Sequence, residues 1–306
     1  VDYIFAVLER PCRLVLAEIN PNMPVTYGRS FIHMSDIDYA VEAKDPIFEL
    51  EQFEVTDIER KIGEAVATLV EDESTIQIGY GAISEAAILF LGGKKNLGMH
   101  SEMVPEHVRP LVNSGVLNNS KKSINKGKIV CTFHGGTAEL YKWLNHNAVI
   151  EMQPVDYTNN PNVIAQNSKM VAINSALQVD LYGNIYADVL GLEDQYTGSG
   201  GAIDFALGCA ISEDAKFIST LSSTTSDLKY SRIVFHPTRE ENPFAPQMPL
   251  VPRYLADYVV TEYGIASLKG KNNNERARSL IDIAHPNFRG TLTDQARRAG
   301  LIHGKF

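Results

Sequence analysis

Cysteine is scarce in this sequence, and its three cysteines form no recognisable pattern. Cys12, Cys131 and Cys209 are widely spaced, odd in number and never arranged as C-x-x-C. This argues against a disulfide framework and favours a reducing, cytoplasmic compartment. Because Cys131 lies in the apolar run IVCTF, we expect it to be a buried thiol without a chemical role.

Long apolar runs and an excess of basic residues are also lacking. No stretch approaches the roughly 18 apolar residues of a membrane-spanning helix, and no signal peptide is visible. Asp and Glu number 37 against 28 Lys and Arg, which gives a formal charge of −9. This balance argues against a membrane or nucleic-acid partner, although a local basic pocket for an anionic ligand remains compatible with it.

Several catalytic signatures are missing as well. The sequence contains no G-x-S-x-G elbow, no H-E-x-x-H motif and no Walker lysine. In QIGYGAISEA, Ser84 stands where a dinucleotide fingerprint would need its third glycine. A serine hydrolase and a zinc enzyme therefore have no support, and we expect no metal ion.

The sequence that is present alternates predicted strands with predicted helices. Hydrophobic residues make up 44% of its 306 residues, enough for a sizeable core. The patterns predict strands at 12–18, 30–38, 75–78, 96–101, 126–136, 169–181, 216–223, 232–238 and 257–264, and helices at 56–70, 83–91, 104–115, 137–147, 274–285 and 291–301. This alternation is typical of an α/β fold with a mostly parallel sheet covered on both faces.

Three features fall at the carboxyl ends of predicted strands. They are the glycine turn 79–81, Glu102 and the turn 134–136. Ligands of open α/β sheets bind beyond the carboxyl ends of the strands. We therefore expect these three features to share one rim of the sheet.

Two glycine-rich segments each allow two interpretations. The turn in QIGYGAISEA is either a plain strand–helix connector or a ligand loop, since glycine lets the backbone approach a ligand closely. The cluster TGSGGAID, from Thr197 to Asp204, is either a surface turn or a loop whose N–H groups face a ligand or an oxyanion.

Glu102, in the stretch GMHSEMVPEH, also has two interpretations. A carboxylate at the end of a strand is held rigidly and can serve as an acid, a base or a nucleophile. The alternative is an ordinary carboxylate at the N-terminus of the helix predicted from residue 104, which would favour its ionised form.

Several motifs in order resemble the acetyl-CoA hydrolase/4-hydroxybutyrate CoA-transferase family of class I CoA-transferases. They are GYGAISEA, LGMHSEM, QPVDYTNNPNVIAQNSKMVAINSALQVDLYGN, YTGSGGAIDF and DYVVTEYGIASLKGK. The likeness covers nearly the whole chain and is closest to the 4-hydroxybutyrate CoA-transferases. It implies two similar open α/β domains with the active site between them, and a homo-oligomer acting on acyl-CoA and short-chain carboxylates.

The resemblance also implies roles for particular residues. The glutamate that attacks the thioester corresponds to Glu102. The expected contacts of coenzyme A, a co-substrate, are Gly79, Tyr80, Gly81, Ala82, Ile83, Leu177 and Gly201. The chemistry would run through a glutamyl-CoA thioester and needs no metal.

Family members carry more sequence before the position that matches Val1. We therefore expect residues 1–45 to be the end of a first domain that is incomplete in this chain. Residues 46–55 would be a linker and residues 56–306 the second, catalytic domain. Three functions stay open: a CoA-transferase, a hydrolase on the same scaffold, and a non-catalytic CoA-binding module.

Overall fold

The computed structural model describes residues 1–10, 12–50, 54–190, 194–238, 242, 245 and 248–303. Its strands are β1 Leu16–Ile19, β2 Tyr39–Glu42, β3 Thr75–Ile78, β4 Gly98–Met99, β5 Met103–Val104, β6 Ile129–Cys131, β7 Phe133–His134, β8 Ile150–Met152, β9 Met170–Ser175, β10 Gln178–Asp180, β11 Ile185–Tyr186, β12 Val189–Leu190, β13 Asp194–Gln195, β14 Lys216–Thr220, β15 Ile233–Val234, β16 Tyr258–Thr261 and β17 Gly264–Ser267.

The α-helices lie between these strands and after them. They are α1 Ile4–Leu8, α2 Asp57–Leu69, α3 Ala82–Ala86, α4 Val108–Asn113, α5 Ala138–Leu144, α6 Val155–Thr158, α7 Pro161–Ile164, α8 Ala202–Ile211, α9 Asn273–Asp282 and α10 Pro286–Arg298, with short 3₁₀ helices at Met34–Asp36 and Ala87–Phe90.

A six-stranded sheet in the order β17-β16-β14-β9-β3-β4 forms the centre of the fold. Every neighbouring pair is parallel except β16 and β17, which form a hairpin at one edge. A bridge between His100 and Val130 continues the pairing toward β6, which is parallel to β8. The carboxyl ends of the parallel strands therefore meet at one edge, and the predicted mostly parallel α/β fold is confirmed.

Alternate residues of the central strands face opposite sides of this sheet. On β9, Met170 and Ala172 belong to the core cluster that includes side chains of α8, α9 and α10. Val171 and Ile173 belong to a second cluster that includes side chains of α2, α4 and α5. Both faces of the sheet are thus buried, which explains why its strands read as continuous apolar runs.

Helix α2 follows its prediction closely. The Thr56 N–H donates to Glu59 Oε2 at 2.7 Å, and this capping contact fixes the first turn. Ile62 and Val66, one turn apart, are fully buried against the sheet. His285, predicted to end a helix, instead caps the start of α10.

Residues 1–45 differ from the prediction of two strands at 12–18 and 30–38. The first strand, β1, begins at Leu16 and is not buried, since Leu16 is 67% exposed. Residues 34–36 form a 3₁₀ turn, because the Ser35 N–H donates to His33 Nδ1 at 3.2 Å. The partner strand β2 follows only at Tyr39, where it pairs with β1 in parallel.

Two further predictions are corrected by backbone pairing. The helix expected at 104–115 is shorter, because Val104 pairs with His134 in a strand and α4 starts only at Val108. The strand expected at 169–181 is two strands, since β9 ends in the central sheet and β10 joins β11 and β15. Of the predicted linker 46–55, residues 51–53 lie outside the described residues.

The predictions of unpaired cysteines and of a buried Cys131 are confirmed. All three cysteines are unpaired, and Cys131 and Cys209 are buried. Burial raises the pKa of the Cys131 thiol to about 12, which makes it a poor nucleophile.

Candidate active site

Glu102 lies between two short strands, β4 and β5, at the carboxyl edge of the central sheet. Its backbone carbonyl accepts from the N–H groups of Thr132 and Phe133, at 2.9 and 3.2 Å. The neighbouring Ser101 is fully buried, and its Oγ accepts from the Ile78 N–H at 3.3 Å. Glu102 is therefore held beside the end of β3, but it is not at a helix N-terminus as its alternative interpretation assumed.

The carboxylate of Glu102 has one hydrogen-bond donor and lies against a glycine backbone. Asn159 Nδ2 donates to Glu102 Oε2 at 2.6 Å, and the backbone of Gly201 is packed closely against the same oxygen. Burial raises the pKa of Glu102, and the negative charges of Asp2 and Asp204 raise it further, while Asn159 and the Gly201 backbone lower it. Because desolvation is the largest effect, the carboxylate is more basic than an exposed glutamate.

Gly201 fits against Glu102 only because it has no side chain. A Cβ at this position would overlap both Glu102 Oε2 and Asn159 Nδ2. The preceding Gly200 has φ +53, a conformation that favours glycine, and a Cβ there would lie 3.8 Å from Glu102 Oε1. The segment TGSGGAID therefore lies against the candidate nucleophile through Gly200 and Gly201, while its residues 197–200 are exposed.

The glycine turn after β3 reaches the same edge of the sheet. The Gly79 N–H donates to the Ile173 carbonyl at 2.7 Å, and a Cβ on Gly79 would lie 2.8 Å from Asn174 Oδ1. Gly81 has φ +129, which a residue with a side chain rarely adopts, and it precedes α3. Glycine is therefore needed at both positions for backbone geometry.

The other predicted contacts of CoA surround this turn. Tyr80 is 54% exposed, while Ala82 and Ile83 are half-buried at the start of α3. Leu177 is half-buried just after β9, with its N–H donating to the Tyr186 carbonyl at 2.7 Å. A contact of 2.8 Å between Ser84 Oγ and Ser175 Oγ joins the two segments. All these residues follow the carboxyl ends of adjacent parallel strands.

His134 belongs to the turn 134–136, which was also expected at this edge of the sheet. It lies on β7 and pairs with Val104 of β5. Burial lowers the pKa of His134 to about 3, so its imidazole is neutral. His100, two residues before Glu102, is fully buried, and burial lowers its pKa to about 4. Neither histidine is therefore available as a cation for an anionic substrate.

The sequence analysis missed Asn159 as a functional residue. It lies 57 residues after Glu102 in the NNPN turn, whose next residue, Asn160, caps α7. An asparagine two residues before a proline is typical of a turn, so nothing local points to a partner in the site. Only the three-dimensional structure brings Asn159 to Glu102.

The described residues contain neither a cluster of metal ligands nor a membrane-spanning helix. No group of three or more His, Cys, Asp and Glu side chains is placed to hold a metal ion. Within the same residues, no helix has both the length and the apolar character needed to cross a membrane.

Known proteins match this chain over most of its length. A family model described as the acetyl-CoA hydrolase/transferase C-terminal domain matches residues 136–296. The 4-hydroxybutyrate coenzyme A transferase of Clostridium kluyveri is 49% identical over 286 residues, which cover 94% of this chain and 65% of that protein. The succinyl-CoA:cyclohexane-1-carboxylate CoA transferase of Geobacter metallireducens is 41% identical over 303 residues, which cover 99% of this chain and 67% of that protein.

Solved structures agree with these matches. The crystal structure of 4-hydroxybutyrate CoA-transferase from Porphyromonas gingivalis superposes with a TM-score of 0.84 at 37% identity, covering 97% of this chain and 69% of that one. The chain thus spans about two thirds of the length of the relatives it matches. The resemblance found in the sequence is confirmed, and the chain belongs to the acetyl-CoA hydrolase/transferase family.

Proposed function

We propose that this chain forms the nucleophile-bearing part of a CoA-transferase, which moves CoA between short-chain acids of the 4-hydroxybutyrate, butyrate and acetate type. The observation that carries this proposal is the Glu102 carboxylate, which is desolvated and fixed by Asn159 and Gly201 beside two glycine loops. The relatives are named as CoA transferases of different acyl groups, which supports the reaction class and leaves the preferred acid open.

The first half-reaction transfers CoA from the donor to Glu102. A Glu102 oxygen attacks the acyl carbonyl of acyl-CoA, and the C–S bond breaks to give an acyl-glutamyl anhydride and CoA thiolate. The thiolate then attacks the glutamyl carbonyl and releases the donor acid as a carboxylate. The product is a thioester between Glu102 and CoA.

The second half-reaction runs the same steps in reverse. An acceptor carboxylate attacks the glutamyl-CoA carbonyl, which forms a new anhydride and releases CoA thiolate. The thiolate attacks the acyl carbonyl of the acceptor, so that a new acyl-CoA leaves and the Glu102 carboxylate returns. Each tetrahedral step needs hydrogen-bond donors for the oxyanion, and the glycine loops are the proposed source.

We propose that CoA contacts Gly79, Tyr80, Gly81, Ala82 and Ile83, and reaches across to Leu177 and Gly201. The location of these residues at the carboxyl edge of one sheet supports a shared site. Gly201 would then contact both the nucleophile and the ligand, because its backbone is packed against the Glu102 carboxylate.

The domain division expected from the sequence remains a proposal. The exposed apolar side chains of residues 1–45 support their assignment to a first domain, since Leu16, Tyr39 and Val41 are each at least 64% exposed. A homo-oligomer in the cytoplasm is part of the same proposal, by analogy with the family.

A hydrolase is the second candidate, because the family description names hydrolases beside transferases. Water would then attack the glutamyl-CoA thioester in place of a carboxylate. One assay separates the two: transfer of CoA to acetate or butyrate is compared with release of free thiol when no acceptor is present.

The proposed intermediate can be tested directly. The protein is incubated with acyl-CoA, treated with borohydride to reduce a side-chain thioester to an alcohol, and mapped by peptide mass spectrometry. We expect the reduced residue at position 102, and no reduction in Glu102→Gln. Reduction of another residue, or turnover without any adduct, would exclude Glu102 as the nucleophile.

A further inference from the structure

Arg232 is a half-buried arginine that lies at the same edge of the sheet as Glu102. Its backbone N–H donates to the Ser223 carbonyl at 2.8 Å, in a hairpin that follows β14. Within the described ranges, no residue forms a hydrogen bond or an ion pair with its side chain. Burial lowers the pKa of Arg232, while Tyr196 and Glu262 raise it.

Arg276 is a second arginine with a partly buried guanidinium, and its role is structural. Burial also lowers the pKa of Arg276, yet its Nη1 donates to the carbonyls of Tyr182 and Arg253, at 3.1 and 2.8 Å. Guanidinium groups carry five donors and are rarely buried without acceptors. Arg232 therefore differs from Arg276, whose guanidinium has two backbone acceptors.

The two groups that influence Arg232 electrostatically do not satisfy it. Glu262 makes its hydrogen bonds with Ser223 instead, since Oε2 accepts from the Ser223 N–H at 2.9 Å and Oε1 accepts from Ser223 Oγ at 2.5 Å. The other group is the phenol of Tyr196, which forms no hydrogen bond with Arg232. Among the described residues, none therefore accepts from the guanidinium of Arg232, and its donors can face a ligand.

Tyr196 interacts electrostatically with Arg232 and is also close in sequence to the candidate active site. It lies five residues before Gly201, which contacts Glu102, and five extended residues span at most about 18 Å. Every substrate of the proposed reaction is an anion, either through the phosphates of CoA or through the carboxylate of an acid. A planar guanidinium binds both kinds of oxygen group in bidentate fashion.

We propose that Arg232 binds an anionic oxygen group of the substrate, a phosphate of CoA or the carboxylate of the acid, at the entrance to the site. This inference rests on the proposed function and adds a recognition residue to it. Glu102 would make the covalent bond, while Arg232 would hold the charged end of the substrate.

The test measures binding and turnover for the parent chain, Arg232→Met and Arg232→Lys. Calorimetry gives the Kd of CoA and of dephospho-CoA, and steady-state assays give the KM of the acceptor acid. Arg60→Met serves as the control, because Arg60 is an exposed arginine on α2 and its loss changes the charge equally. Circular dichroism and Tm verify that each variant is folded.

We expect Arg232→Met to weaken one of these interactions by about 10- to 100-fold, the usual effect of losing a charge-assisted contact. Arg232→Lys should lose less, since it keeps the charge without the planar fork. A Kd for CoA that rises to that of dephospho-CoA assigns the 3′-phosphate, and equal weakening of both assigns the pyrophosphate. An unchanged Kd with a raised acid KM assigns the carboxylate.

Two results would overturn the inference. One is that both Arg232 variants match the parent in all three constants while the parent binds CoA and turns over, which leaves the proposed function standing. The other is that Arg60→Met causes the same loss, which would indicate a general charge effect. A parent that binds no CoA would contradict the proposed function itself.

Discussion

Asn159 Nδ2 donates to Oε2 of Glu102 across 2.6 Å, and this contact joins residues that lie 57 positions apart in the chain. The carboxylate can only accept in this pair, so the amide nitrogen must face it. Oε2 is thereby fixed, and the donor partly offsets the effect of burial on the Glu102 pKa. The same hydrogen bond holds Glu102 in place and favours its ionised form.

Replacing Asn159 by Ala should reduce turnover by about 10- to 100-fold, since one charge-assisted hydrogen bond is lost. The pKa of Glu102 should rise, because Asn159 is a cause that lowers it. We therefore expect the acidic limb of the pH–rate profile to move to higher pH. Asn162→Ala is the control, because Asn162 is exposed on α7. A profile of Asn159→Ala that overlays the parent would contradict this role.

Gly201→Ala should abolish turnover while the protein remains folded. The new Cβ would occupy the space of Glu102 Oε2 and Asn159 Nδ2, so the carboxylate must move. Gly198→Ala is the matched control, since a Cβ on Gly198 meets no atom within 4 Å. Turnover and Tm are measured for both variants. Equal activity of the two would show that close packing at Gly201 is not required.

The sequence predicted the fold and part of the site, for identifiable reasons. The alternation of strands and helices predicted the parallel sheet, and local signals at Thr56 and Gly81 marked a helix start and a glycine turn. The family resemblance, rather than any local pattern, singled out Glu102. Asn159 could not be predicted, because its contact is made across 57 residues and its own surroundings are typical of a turn.

The errors in strand and helix prediction have the same physical origin. Val104 has the apolar character of a helix start, yet its backbone is used in pairing with His134. Leu16 has the character of a buried strand residue, yet it is exposed. In both cases the tertiary surroundings, rather than the local sequence, decided the outcome.

Glu102→Gln should be at least as stable as the parent at neutral pH, although it is inactive. Between pH 4.5 and its raised pKa, native Glu102 holds a proton that the unfolded chain has lost, so stability falls as pH rises through this window. Glutamine has no charge to desolvate and can still accept from Asn159. We expect an equal Tm or one higher by a few degrees, measured at about pH 7. A clearly lower Tm would mean that the charge stabilises the fold.

Lys122 provides a prediction about stability that is independent of the reaction. It is 1% exposed, and its Nζ donates to the carbonyls of Met99 and Lys128, both at 2.9 Å. Burial lowers the pKa of Lys122 to about 7, from 10.5 in the unfolded chain. Between these values only the unfolded chain keeps the proton, so unfolding takes up a proton and stability rises with pH. Below about pH 7 the cost of the buried charge is fully present.

Lys122→Met should remove this dependence on pH. The stability of the variant relative to the parent should fall by on the order of 2 kcal/mol between about pH 7 and pH 9, as the parent loses its buried charge. The free energy of unfolding is measured in urea at several pH values, with Lys126→Met as the control because Lys126 is exposed. The prediction concerns how the free energy of unfolding changes with pH. The absolute difference between the variant and the parent is not used, since methionine also leaves two carbonyls without their donor. Parallel stability curves for the parent and Lys122→Met would show that Lys122 stays charged in the native core.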